Sequence, residues 1–272
     1  MDTSTMTIIL AVIILIALGL VWIFYKSTSS FKRPNLSYNE RVFLEANLEI
    51  ELNNKEDLTN RYNRANVREK KKDYKGAIED INVILQHEKG NFELIFKRGF
   101  DKFKTSDFKG ALSDFSEVIK NNPANKYAFY YRGLSNLKLS NFELAYNDLS
   151  NAVSLGVNDT EVFISRGIAA IEINKFYEAI DDFNLYLAEH PENPEAYFNR
   201  GVAYNKSGIF DFALRDFNRT IDIEPKHEKA FFERAFVKKN LNDLIGYKND
   251  LQSSYNHGYL HAYHFLKDAG KN

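Results

Sequence analysis

The sequence predicts an all-α chain: a solenoid of six helix-turn-helix repeats between two capping helices, preceded by an N-terminal transmembrane helix. Three observations carry that prediction. A step of 34 residues lands on six small residues, Ala65, Gly99, Gly133, Gly167, Gly201 and Ala235, with no slip of register. Twelve positions after the anchors stand Ala77, Ala111, Ala145, Ala179 and Ala213, with Tyr247 as the one departure. Ahead of them lies an uninterrupted apolar run of 18 residues, 8–25. Self-similarity at a fixed period of this length marks stacked helix pairs, because one pair alone cannot bury its apolar face.

Residues 7–25 are assigned to the transmembrane helix. At roughly 1.5 Å per residue the apolar run extends about 27 Å, close to the ~30 Å hydrocarbon core of a bilayer. A cleaved signal peptide is the competing reading. The leading MDTSTM lacks the basic residues of a signal n-region, and no small-x-small cleavage site follows the run. Trp22 and Tyr25 stand where an interfacial aromatic belt would lie, and Lys26, Lys32 and Arg33 follow with no basic residue before. That asymmetry predicts a single-pass membrane protein with its repeats on the cytoplasmic side.

Residues 26–36, polar and containing Pro34, read as a linker. Residues 37–54 return to a helical pattern with Tyr38, Val42, Phe43, Leu44, Leu48 and Ile50 available for burial, out of phase with the repeat. They are expected to cap the N-terminal end of the array, since end repeats otherwise expose an apolar face. Residues 55–258 hold the six repeats, and 259–272 read as the matching C-terminal cap.

Within each repeat a large apolar residue stands nine after the anchor: Tyr74, Phe108, Phe142, Phe176, Phe210 and Leu244. Sixteen after it stand Ile81, Phe115, Leu149, Phe183, Phe217 and Leu251, each preceded by aspartate. Pro123, Pro191 and Pro225 share one phase, where a helix must end. These residues resemble the tetratricopeptide repeat (TPR) family over roughly the span 55–258. The resemblance implies a right-handed superhelix whose first helices line a concave groove. The arginines before the anchors, Arg64, Arg98, Arg132, Arg166, Arg200 and Arg234, are in phase with Asp80, Asp114, Asp148, Asp182, Asp216 and Asp250. A partly buried guanidinium requires a hydrogen-bonded carboxylate, so this ladder is expected to join helices rather than to bind ligand.

Composition excludes several functions. Lys and Arg number 36 against 37 acidic residues, which leaves no basic field for nucleic acid. Without cysteine there is no disulfide framework and no thiolate zinc site. Phosphate-binding glycine loops, HExxH and nucleophile elbows are missing, so no catalytic residue and no cofactor is assigned and the chain is expected not to be an enzyme. His257, His261 and His264 are spaced by four and three, but Gly258 interrupts a common helix and no acidic or cysteine ligand joins them in sequence. No metal is assigned.

Resemblance to the family places the residues three before and one after each anchor on the groove. They are almost all apolar or aromatic here, and the predicted partner-binding face is Phe96, Phe100, Tyr130, Tyr131, Leu134, Ile164, Ile168, Phe198, Phe232 and Phe236. Spacing alone does not separate groove from inter-repeat core. The family's carboxylate clamp, which holds acidic chaperone tails, is not matched: Tyr62, Lys97, Tyr127 and Tyr131 occupy its positions and only Asn66 fits. The leading expectation is a membrane-tethered scaffold that binds a protein or peptide through aromatic anchors. The alternative is a protein that handles lipid or another hydrophobic ligand at the membrane.

Overall fold

The computed structural model describes residue 47 and residues 57–269. The predicted transmembrane helix 7–25, the linker 26–36 and, apart from helical Asn47, the capping segment 37–54 lie outside the described residues. The chain divides into two units, 1–64 and 65–272, and the account below concerns the second. Among the described residues every element is helical. Helix α1 runs over 57–70, followed by α2 (Tyr74–His87), α3 (Phe92–Lys104), α4 (Phe108–Asn121), α5 (Lys126–Lys138) and α6 (Phe142–Ser154). Then come α7 (Glu161–Glu172), α8 (Phe176–Glu189), α9 (Pro194–Lys206), α10 (Phe210–Ile223), α11 (Glu228–Asn240), α12 (Leu244–Asn256) and the short α13 (Ala262–Ala269).

The anchors act by having no side chain in the way. A Cβ built on Gly133 would lie 2.8 Å from Leu149 Cγ, and one on Gly167 would lie 2.8 Å from Phe183 Cζ. The first helix of a pair therefore rests directly on the large residue of the second. Ile81, Phe115, Leu149, Phe183, Phe217 and Leu251 are all fully buried beneath it. Close packing of this kind leaves no room for an added methylene. At the C-terminal end α13 lays Phe265 on Phe232 and Phe236, and Phe265 and Leu266 join the cluster around buried Ala235, Tyr247 and Leu251.

Each turn within a pair is made by one left-handed residue, seven after the anchor: Lys72, Ser106, Ser140, Asn174, Gly208 and Asn242. At Ser140, φ is 59°, and the turn closes with Ser140 N donating to Leu137 O (3.0 Å) and Asn141 N to Asn136 O (2.9 Å). This is a Schellman cap, in which glycine costs least. Ser140→Gly is therefore expected to raise stability by roughly 0.5 to 1 kcal/mol, the left-handed penalty less the added freedom of the unfolded chain. Chemical denaturation checks it, and a lowered midpoint would contradict the capping argument.

The arginine ladder forms in repeats two to six. Arg98, Arg132, Arg166, Arg200 and Arg234 each donate Nε and Nη2 to both oxygens of the in-phase aspartate, at 2.5 to 2.9 Å. In the first repeat Arg68, in phase with Lys102 and Lys238 against their own aspartates, also donates to Asp80, at 2.8 Å. A further bond was not foreseen. The free Nη1 reaches back to the second helix of the preceding repeat: Arg98 to Asn82, Arg132 to Ser116, Arg200 to Asn184 and Arg234 to Asn218. Each of these arginines thus ties its own helix pair together and fastens it to the pair before. Burial pushes Asp182 and Asp216 above the ordinary carboxylate range, and contact with their arginines pulls them partly back.

Candidate functional site

Among the described residues, first helices of successive repeats touch one another, α3 with α5, α5 with α7, α7 with α9 and α9 with α11. The ten residues predicted for the partner-binding face lie on these helices, and the structure sorts them by depth. Tyr130 (4% exposed) and Ile164 (8%) are buried. Phe96, Phe100, Tyr131, Leu134, Ile168, Phe198, Phe232 and Phe236 are half-buried.

Tyr130 packs with Leu149, Ala152 and Val162, and its hydroxyl reaches Asp159 Oδ2 at 3.3 Å. Burial raises its phenol well above the usual tyrosine range. A phenol so held is part of the seam between repeats three and four, and its removal would open a cavity. Tyr131, the next residue, keeps its ring 5.2 Å from that of Tyr130 but stays half-buried and reaches the rings of repeat two. Its ring meets Phe96 at 6.2 Å, Phe100 at 5.1 Å, Phe103 at 5.8 Å and Phe115 at 5.9 Å between centroids. Lys104 Nζ lies 5.0 Å above the Phe100 ring. The Tyr131 contacts are edge-to-face with Phe96 and Phe100, tilted with Phe103 and stacked with Phe115, arrangements that fix aromatic groups in place. A second aromatic group, Phe232 with Phe236, Tyr259 and Phe265, lies towards the C-terminal end.

Between α9 and α11 is a cavity of about 250 Å³ lined by Glu195, Phe198, Glu224, His227, Glu228 and Lys229. His227 is the N-cap of α11, its Nδ1 accepting from Ala230 N at 3.1 Å, where Asn91, Asn125 and Asn193 cap α3, α5 and α9. The predicted phase could have revealed this substitution, since His227 stands 34 residues after Asn193. His261 and His264 lie among aromatic rings, with His261 against Phe232 and Phe265. Among the described residues no group of three or more His, Cys, Asp or Glu is arranged to hold a metal. Nor, among those residues, is any helix long and apolar enough to cross a membrane.

Sequence reasoning missed the polar cluster at the seam of repeats one and two. Lys97 Nζ donates to Asn66 Oδ1 and lies 3.0 Å from Glu69 Oε1, while Asp101 is wholly buried beside them. The signal was available: two after the anchor, where later repeats carry Ser135, Ala169, Ala203 and Val237, Asp101 is the only charged residue.

Models of the tetratricopeptide repeat match residues 96–151 and 194–227. The matched segments are tetratricopeptide repeats, and the helix pairs on either side of them continue the same phase. No curated protein matches the sequence significantly. Among solved structures the chain is similar to the MamA protein, at 21% identity and a TM-score of 0.57, over 64% of this chain and 95% of that one. It is likewise similar to residues 41 to the end of MamA from Desulfovibrio magneticus RS-1, at 15% identity and a TM-score of 0.53, over 67% and 98%. YrrB, a TPR protein with an unusual peptide-binding site, aligns at 15% identity with a TM-score of 0.61, over 69% and 97%. At these identities the likeness speaks for the fold alone.

Proposed function

We propose that this chain is a non-catalytic scaffold that binds a protein or peptide partner on the inner, first-helix face of its repeats, tethered to the membrane by residues 7–25. The observation that carries this reading is the half-buried aromatic cluster of Phe96, Phe100, Phe103 and Tyr131. Aromatic side chains supply large, rigid contact area and commonly dominate interface energy. That YrrB has a peptide-binding site adds support from a protein of the same fold. Lipid handling is favoured less: the cavity between α9 and α11 is lined by Glu195, Glu224, Glu228 and Lys229, a poor environment for an acyl chain.

Tyr130 and Ile164 are left out of the proposed contact set because they are buried. The remaining candidates are Phe96, Phe100, Tyr131, Leu134, Ile168, Phe198, Phe232 and Phe236. Photo-crosslinking from the full-length chain in native membranes tests the face without removing any of them. A benzoylphenylalanine at exposed Lys104, Lys138 or Lys206 on the first helices should capture one defined partner. The same probe at exposed Leu144, Leu185 or Phe212 on the second helices should not. Capture from the second helices alone would move the working surface to the outside of the stack.

The membrane tether makes a separate expectation. Protease added to intact cells should spare the repeats, because Lys26, Lys32 and Arg33 follow the apolar run and hold that side in the cytoplasm. Digestion of the repeats while a cytoplasmic control protein survives would reverse the orientation.

A further inference from the structure

From the third repeat onward the position two after the anchor is a packing row. Ser135, Ala169, Ala203 and Val237 occupy it, each 0% exposed. The second repeat places Asp101 there, equally buried, and neither of its carboxyl oxygens has a hydrogen-bond partner. An ionised carboxylate in such a place, with no donor to replace water, is strongly disfavoured. A small or apolar residue would fit the row without that cost, as it does in repeats three to six. The acid therefore marks a departure from local consistency of the kind that accompanies function.

The surroundings decide what the departure can do. From α1 comes Glu69, whose Oε1 is also buried and makes no hydrogen bond. From α3 itself comes Lys97, one turn before Asp101. Its Nζ stands 3.0 Å from Glu69 Oε1, an ion pair without hydrogen-bond alignment, and it donates to Asn66 Oδ1. The ammonium is thus engaged with α1. Glu69 and Lys97 are the charged groups that act on Asp101, and none comes from α2, α4 or α5.

We propose that Asp101 and Glu69 form a proton-operated latch between the first helices of repeats one and two. With one proton held by the two carboxyls the seam is closed. Loss of that proton sets two negative charges against a single ammonium, and α1 loosens from α3. Burial first, and the charge of Glu69 second, raise Asp101 to about 7, which puts the transition near neutrality. An ordinary aspartate titrates near 3.9. The stabilisation from the neutral acid is therefore fully present below that value and is lost as pH rises through about 7. The latch lies on the helix that carries Phe96, Phe100 and Phe103, so its state governs the N-terminal end of the first-helix face.

Hydrogen exchange of the full-length chain at pH 6 and pH 8, corrected for the intrinsic rate, reads the latch directly. One proton linked to opening should lower the protection of residues 65–70 by about tenfold between the two pH values, while α9 to α11 stay unchanged. Asp101→Asn keeps the shape without the charge and should abolish the difference. Asp101→Ser, the residue at position 135, serves the same purpose if the asparagine variant does not fold. Equal protection of the native chain at both pH values would overturn the latch. So would a folded Asp101 variant that retained the tenfold response.

Discussion

Gly167→Leu in the full-length chain is expected to cost about 3 kcal/mol or more, the upper end of the overpacking range. For a body of this size that is a fall in thermal midpoint of roughly 6 to 12 °C. A Cβ at this site would already stand 2.8 Å from Phe183 Cζ and 3.0 Å from its Cε1. Phe183 is fully buried, with Ala179, Ile180 and Leu187 in the same cluster, and can give way for a single carbon but not for a whole leucine side chain. Leucine adds three further carbons to that clash. Gly167→Ala should be much milder, because the gain in helix propensity, about 1 kcal/mol, offsets a small displacement. Ala65 and Ala235 stand at the same phase. Lys138→Leu, at an exposed site, should stay within about 0.5 kcal/mol. Differential scanning calorimetry compares the three, and equal midpoints for the leucine variants would mean that the anchor is not a close approach.

Asp216→Ala should destabilise by about 3 kcal/mol, because it strands a guanidinium among buried surroundings. Arg200 makes bonds of 2.8 and 2.7 Å to that carboxylate, and its side chain is only 18% exposed. Its Nη1 also holds Asn184 of the preceding repeat at 2.7 Å. Losing the carboxylate should therefore weaken the coupling between repeats four and five as well as the helix pair itself, and broaden the unfolding transition. Glu192→Ala is the control. Its pairing with Arg219, at 2.7 Å but with side chains 73% and 41% exposed, should be worth about 1 kcal/mol or less. A double replacement, Arg200→Met with Asp216→Leu, should recover most of the loss, since a buried ion pair can be exchanged for packed apolar groups. If the single aspartate variant unfolds like the control, the ladder is ornament on a fold held by its apolar contacts alone.

Period and residue type determined the helix pairs, the anchors, the large residue beneath each anchor and the pairing of arginine with aspartate in repeats two to six. These follow from sequence because each rests on residues at a constant offset within one pair, where the helix period fixes which side chains face each other. Depth was decided only by the tertiary structure. Tyr130 and Tyr131 are consecutive, chemically identical and in ring contact at 5.2 Å, yet Tyr130 is 4% exposed in the seam with repeat four while Tyr131 stays half-buried against the rings of repeat two. The pattern states which residues lie near the first-helix face, while the approach of the next pair determines how much of each is covered. The same holds for the bonds that cross repeats. Arg200 to Asn184 and Lys97 to Asn66 depend on how one pair is rotated on the next, a quantity that no single repeat encodes. Asp101 is the sharpest case, for its sequence position marks it only as an exception to a row. Its burial beside Glu69 and Lys97 exists only once the 65–70 end of α1 and α3 are packed together.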